Sequence, residues 1–77
     1  MPWTTCDVTQ AGAENGTIYI ALRASDNSFH NWFVAVPQME REMLATALTA
    51  ISTSKRVNTY LTDTAAYSTI NRLYVMA

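Results

Sequence analysis

Few side chains in this sequence could do chemistry, and their spacing narrows the kinds. His30 is the only histidine and Cys6 the only cysteine. One imidazole and one thiol cannot complete a structural zinc site, and a lone cysteine forms no intrachain disulfide. Near His30 in sequence stand only Asp26 and Ser28, whereas a triad needs several positioned partners. His30 is therefore read as a solvated or hydrogen-bonded residue at the start of a strand. Cys6 lies on the apolar side of an alternating segment and is read as a small core residue. The six carboxylates show no spacing that pairs an acid with a base, and the two glycines, Gly12 and Gly16, make no phosphate-binding loop. The chain is read as non-catalytic, with no metal and no cofactor.

Aromatic residues offer more. Tyr19 and Arg23 share one side of an alternating segment, opposite its apolar side, and Tyr60 is placed outward on a later strand. Aromatic rings interleaved with hydrogen-bonding groups suit sugar rings, whose C–H faces stack on them. The same equipment suits single-stranded nucleic acid, where bases stack and arginine meets phosphate. The competing reading is that aromatics fill subunit interfaces, where Tyr, Trp and Arg are enriched. Interfaces come first for Trp3 and Trp32. For Tyr19 and Arg23 both readings stand.

The residues between these must position them. With 77 residues the chain supports a single domain, 1–77, and its 49% hydrophobic content is that of a globular protein. No apolar run is long enough to span a membrane. A formal net charge of −1 argues against a dedicated duplex-DNA binder and makes nucleic acid the less favoured partner. Charged residues are only 14%, against about 25% in an average soluble domain. Threonine fills part of that gap, and so weakly charged a surface favours self-association. The opening segment, Met1-Pro2-Trp3-Thr4-Thr5, has neither a basic nor an apolar leader region, so the expected compartment is cytoplasmic. A processed form of a secreted chain would read the same way.

Thr4 to Gln10 alternates with Cys6 and Val8 on one face, which predicts a half-buried strand. Asn15-Gly16 is a hairpin turn signal, and Asn15-Gly16-Thr17, although it matches a glycosylation sequon, is read as that turn. Thr17 to Ala24 alternates Ile18, Ile20 and Leu22 against Tyr19, Ala21 and Arg23, a second strand. Ser25 to Ser28 is a turn with Asx chemistry. Phe29 to Val36 is a third strand, with Trp32, Val34 and Val36 on one side and Phe29, Phe33 and Ala35 on the other. A strand apolar on both faces is usually covered on both.

Pro37 to Thr53 is the single predicted helix, with Met39, Met43, Leu44, Ala47, Leu48 and Ile51 as its core stripe. Its opposite face, including Ala45, Thr49 and Ser52, carries no charge beyond the first turn, so a sister molecule is expected against it. Arg56 to Thr62 is the fourth strand and Ile70 to Met76 the fifth. Ile70 is out of phase with Leu73, which points to a bulge near Asn71. The order β-β-β-α-β-β predicts a mainly β domain with one helix, a five-stranded OB-fold-like barrel.

The run Met43-Leu44-Ala45-Thr46-Ala47-Leu48-Thr49-Ala50-Ile51-Ser52-Thr53-Ser54-Lys55-Arg56-Val57-Asn58-Thr59-Tyr60 passes from helix through a basic turn to a strand, and Ile70-Asn71-Arg72-Leu73-Tyr74-Val75 ends the chain's pattern. This passage resembles the second half of the B subunits of AB5 toxins of the subtilase-cytotoxin and pertussis-like kind. The hairpin from Val8-Thr9-Gln10 to Ile18-Tyr19-Ile20 resembles their first half, and small bacterial and phage-type proteins share the layout. The resemblance covers most of the chain as a pattern of elements. It implies an OB-fold, a pentameric ring with helices lining a central pore, and glycan binding on the outer barrel. The sequence departs from it in having one cysteine and no signal peptide, and no local motif matches the sugar-holding residues.

Three functions follow as expectations. The first is a non-catalytic homo-oligomeric binding module with a possible glycan ligand at Tyr19, Arg23 and Tyr60, and with Trp32, Ala45, Thr49 and Ser52 between subunits. The second is a single-stranded nucleic-acid-binding OB module. The third is a purely structural assembly protein of the phage or virion type.

Overall fold

The computed structural model describes residues 3–77. The reading of the leader region falls partly on Met1 and Pro2, outside the described residues. Five strands and one helix follow each other as β1 (Trp3–Glu14), β2 (Thr17–Ala24), β3 (His30–Ala35), a single 3-10 turn (Pro37–Met39), α1 (Glu40–Thr53), β4 (Arg56–Leu61) and β5 (Thr69–Val75). The strands close into a barrel in the order β1-β2-β3-β5-β4. All pairings are antiparallel except β3 with β5, which run parallel through Val34 opposite Thr69 and Ala35 opposite Ile70. This is the Greek-key plan of an OB-fold, with α1 bridging β3 and β4.

Closure depends on β1. Its first part, Trp3 to Asp7, pairs with β4, and its longer part, Cys6 to Glu14, pairs with β2. A strand that serves two neighbours must bend, and the bend coincides with a bulge. Val8 faces Leu22 and Gln10 faces Ala21, so Thr9 is the extra residue. Its hydroxyl lies 3.1 Å from Nε2 of His30 and 3.4 Å from the Ala21 carbonyl. The first strand runs to Glu14, beyond the predicted end at Gln10. The turn is then Asn15-Gly16 alone, with φ of 51° and 81°. Left-handed conformation at both positions matches the right-handed twist of the flanking strands. The second bulge lies where the phase of Ile70 and Leu73 placed it. Tyr60 faces Arg72 and Leu61 faces Ile70, leaving Asn71 unpaired in the register.

Inward residues of all five strands form one core with the helix: Cys6, Ile20, Leu22, Phe33, Ala35, Val57, Leu61, Ile70 and Leu73 against Met43, Ala47 and Ala50. Thr59 is the one buried polar residue among those described, and its hydroxyl donates to the Arg72 carbonyl at 2.9 Å. No described buried side-chain polar atom lacks a partner. The buried side of the helix differs from the predicted stripe. Met43 and Ala47 are buried as expected, but the third buried residue is Ala50, while Met39, Leu48 and Ile51 are 42%, 49% and 40% exposed. Two alanines on the row Met43–Ala47–Ala50 let the helix backbone approach the barrel end. On the row one residue and about 100° further round, Leu44 is half-buried while Leu48 and Ile51 turn outward.

Helix α1 ends at Ser54, which adopts φ 55° and ψ 38°, and its N–H faces the Ala50 and Ile51 carbonyls. Lys55 N–H also reaches the Ala50 carbonyl at 3.0 Å. This left-handed C-terminal cap favours glycine. Ser54→Gly is expected to raise stability by roughly 0.5–1 kcal/mol. The check is a higher urea midpoint with an unchanged slope.

Candidate functional site

A groove of about 630 Å³ lies on the outside of the barrel, over β2 and β3 and beside the far half of β1. The strands supply Gln10, Gly12, Tyr19 and Trp32; the hairpin end supplies Glu14, Asn15 and Thr17; and Tyr67 leans in from the loop between β4 and β5. Register explains the grouping. Gly12 faces Tyr19 across β1–β2, and Tyr19 faces Val34 across β2–β3, one outward position from Trp32. Gly12 leaves the space beside Tyr19 open, since an added Cβ there would meet no atom within 4 Å. Tyr19 and Trp32 are each half-buried.

Tyr67 completes the aromatic set. Its ring meets Tyr19 edge to face, with centroids 6.0 Å apart and planes at 86°. Its backbone N–H donates to the Trp32 carbonyl at 2.6 Å, and Val34 N–H donates to the Ser68 carbonyl, so the loop is stitched along β3 where β5 begins to pair with it. The side-chain amide of Asn31 adds a 2.9 Å bond to the Thr64 carbonyl. Tyr67 holds φ 66° and is 62% exposed. A non-glycine residue in that conformation is strained unless its surroundings hold it. Sequence reasoning passed over Tyr67 because it sits in a polar loop. The available signal was one bulky aromatic among Asp, Thr, Ala and Ser.

The groove's charge is simple. Glu14 is the only carboxylate lining it, and no lysine, arginine or histidine lines it. Arg23 shares the outward side of β2 with Tyr19 but is drawn away. Its guanidinium reaches Asp7 at 3.2 Å, and Arg56 reaches the other oxygen of Asp7 at 3.3 Å. His30 stands opposite Arg23 and touches Thr9.

Of the three expected ligand residues, Tyr19 alone lines the groove. Tyr60 lies on the outer side of β4, edge-on to Trp3 at 5.2 Å and under the Arg72 guanidinium at 5.6 Å. Trp32, expected between subunits, lines the groove beside Tyr19. Ala45, Thr49 and Ser52 occupy the exposed side of α1. The Thr49 hydroxyl donates to the Ala45 carbonyl and that of Ser52 to the Thr49 carbonyl. Hydroxyls turned back onto their own helix leave carbon facing outward. Among the described residues no cluster of three or more His, Cys, Asp or Glu could hold a metal ion. No described helix is long and apolar enough to cross a membrane.

The chain matches no protein-family model, no curated protein and no solved structure. None of these comparisons links the chain to AB5 toxin B subunits.

Cys6 is fully buried, and burial, with Asp7 and then Asp26 adding negative charge nearby, pushes its thiol up to about 12. The thiolate is the reactive form. Native protein at pH 8 is expected to resist a thiol reagent such as Ellman's for as long as it stays folded, and to react with one equivalent in urea. Rapid labelling without denaturant would show the thiol to be accessible.

Proposed function

We propose that this chain is a carbohydrate-binding module that takes a sugar into the groove over β2 and β3. One observation carries the reading: three aromatic rings, Tyr19, Trp32 and Tyr67, surround a groove whose other polar groups are amides, a hydroxyl and one carboxylate. The C–H face of a pyranose stacks on such rings. Its hydroxyls then find acceptors and donors in Gln10, Asn15, Thr17 and Glu14. A phosphate-bearing strand would need lysine or arginine in the same place, and the groove has neither. The strands 2–3 face with its adjoining loops is also where OB-fold barrels take up oligosaccharides or oligonucleotides. The absence of lining cations favours the first of these.

Self-association belongs to the same reading. The exposed Leu48 and Ile51 adjoin Ala45, Thr49 and Ser52 on α1, so another copy's helix meets carbon and small side chains rather than charge. A shallow groove binds a single sugar weakly, and several copies on one assembly multiply that affinity. A closed ring, pentameric in the toxin subunits this chain resembles, is one such assembly.

A glycan array followed by calorimetry tests the ligand. Reproducible hits are expected, and Trp32→Ala and Tyr67→Ala should each weaken them by roughly tenfold, the scale of one lost stacking contact. Their absence across the array would leave the purely structural assembly protein as the better account. For the assembly, Thr49→Lys places a charge on the exposed side of α1. Light scattering should show a lower mass at equal concentration while circular dichroism stays unchanged. An unaltered mass would put the contact elsewhere.

A further inference from the structure

We propose that the outer face of β1, β4 and β5, away from the groove, binds single-stranded nucleic acid. The net charge of −1 conceals an uneven spread: three of the five cations lie on this face, while Arg41 sits between Glu40 and Glu42 on α1. Arg56 and Arg72 point outward on β4 and β5, and Lys55 stands at the entry to β4. The one carboxylate on this face is Asp7, already shared by Arg23 and Arg56. The other acids, Glu14, Asp26, Glu40, Glu42 and Asp63, lie on the hairpin end, in loops and on the first turn of α1. Arg72 has no carboxylate within ion-pair distance among the described residues.

Between these cations runs an aromatic row. The register sets Trp3 beside Tyr60 and Tyr60 beside Arg72, with Asn58 beside Tyr74 one outward position along. Trp3 meets Tyr60 edge to face at 5.2 Å and lies nearly parallel to Tyr74, 6.0 Å away at 18°. The Arg72 guanidinium lies over the Tyr60 ring, 5.6 Å from its centroid. Tyr74 is 56% exposed and offers a ring to a base. Cations at the two ends of a strand with stacking rings between them are the equipment that single strands need: phosphates meet the arginines, and bases of any type stack. The groove over β2 and β3 has rings without cations, so the two faces differ in the ligand charge they accept.

Fluorescence anisotropy of a labelled oligothymidylate of roughly eight nucleotides, titrated with the full chain, tests this. Saturable binding is expected at about 50 mM salt, weakening sharply at about 200 mM. Arg72→Ala and Tyr74→Ala should each lower affinity by roughly tenfold, and Arg72→Lys should restore part of the loss. Circular dichroism confirms that each variant is folded, and should Tyr74→Ala fail to fold, Arg72→Glu replaces it and must abolish binding. Four results would overturn the proposal. They are no binding at low salt; affinity unchanged by both Arg72→Ala and Tyr74→Ala; loss on Tyr19→Ala instead, which would seat the strand in the groove; and binding that heparin displaces as well as oligothymidylate does, with no dependence on Tyr74, which would mark a plain polyanion effect.

Discussion

The barrel turns on the crossing of three strands at Cys6 and Asp7. These two residues of β1 are the ones paired on both sides, with Ala24 and Arg23 of β2 and with Val57 and Arg56 of β4. Their side chains go opposite ways. Cys6, Ala24 and Val57 meet inside, where each is almost wholly buried. Asp7, Arg23 and Arg56 meet outside, and the register partners are also the ion-pair partners. Exposed ion pairs of this kind contribute little energy, commonly under about 1 kcal/mol. Their effect is on register. A slip by one residue would carry a carboxylate into the core and a thiol into water, which the strand period makes an all-or-none error. A small core residue inside and a shared carboxylate outside therefore hold the closure in one alignment.

That crossing also divides the outer surface. Beyond it in one direction β1 continues to the hairpin, and Tyr19, Trp32 and Tyr67 gather there with Gln10 and Glu14. On its other side lies the strip of Trp3, Tyr60, Tyr74 and Arg72. Because Asp7 holds Arg23, the groove is left without a cation although one stands on the same strand face four residues from Tyr19. The groove's lack of a cation is thus set partly by an interaction outside it.

Much of this fold was legible because period and turn chemistry are local. Alternation in Thr17–Ala24, the Asn15-Gly16 turn, and the phase break between Ile70 and Leu73 led to the right strands, the right hairpin and the right bulge. The end of β1 was not legible, since Ala11, Gly12 and Ala13 carry too little side chain to show a period and are held by pairing with β2. The helix stripe was read one row too wide because hydrophobicity alone cannot say which of two adjacent apolar rows meets the barrel. The alanines won that contact by their size. The site was legible only at Tyr19. Tyr60 was read as an outward aromatic and Trp32 as a residue between subunits, but their neighbours come from other strands and from a loop, and sequence distance hides both. Tyr67 joins through a backbone bond to Trp32 of β3, which no composition reveals.

The helix brings the same size argument to the surface. A domain of 77 residues buries a smaller share of its chain than a larger one, so each apolar side chain left out matters more. Here the close approach of Ala47 and Ala50 is obtained by turning Leu48 and Ile51 outward, at 49% and 40% exposure. Beside them the threonine and serine hydroxyls are already bonded to their own helix, so they offer water few free polar groups. A solvated helix would present ionic side chains on that side, yet after Glu42 α1 has none. Covering this face with a second copy removes apolar surface from water and strands no charge, so it costs little in desolvation. The arrangement that lets the helix close the barrel is the same one that makes its back suitable for association.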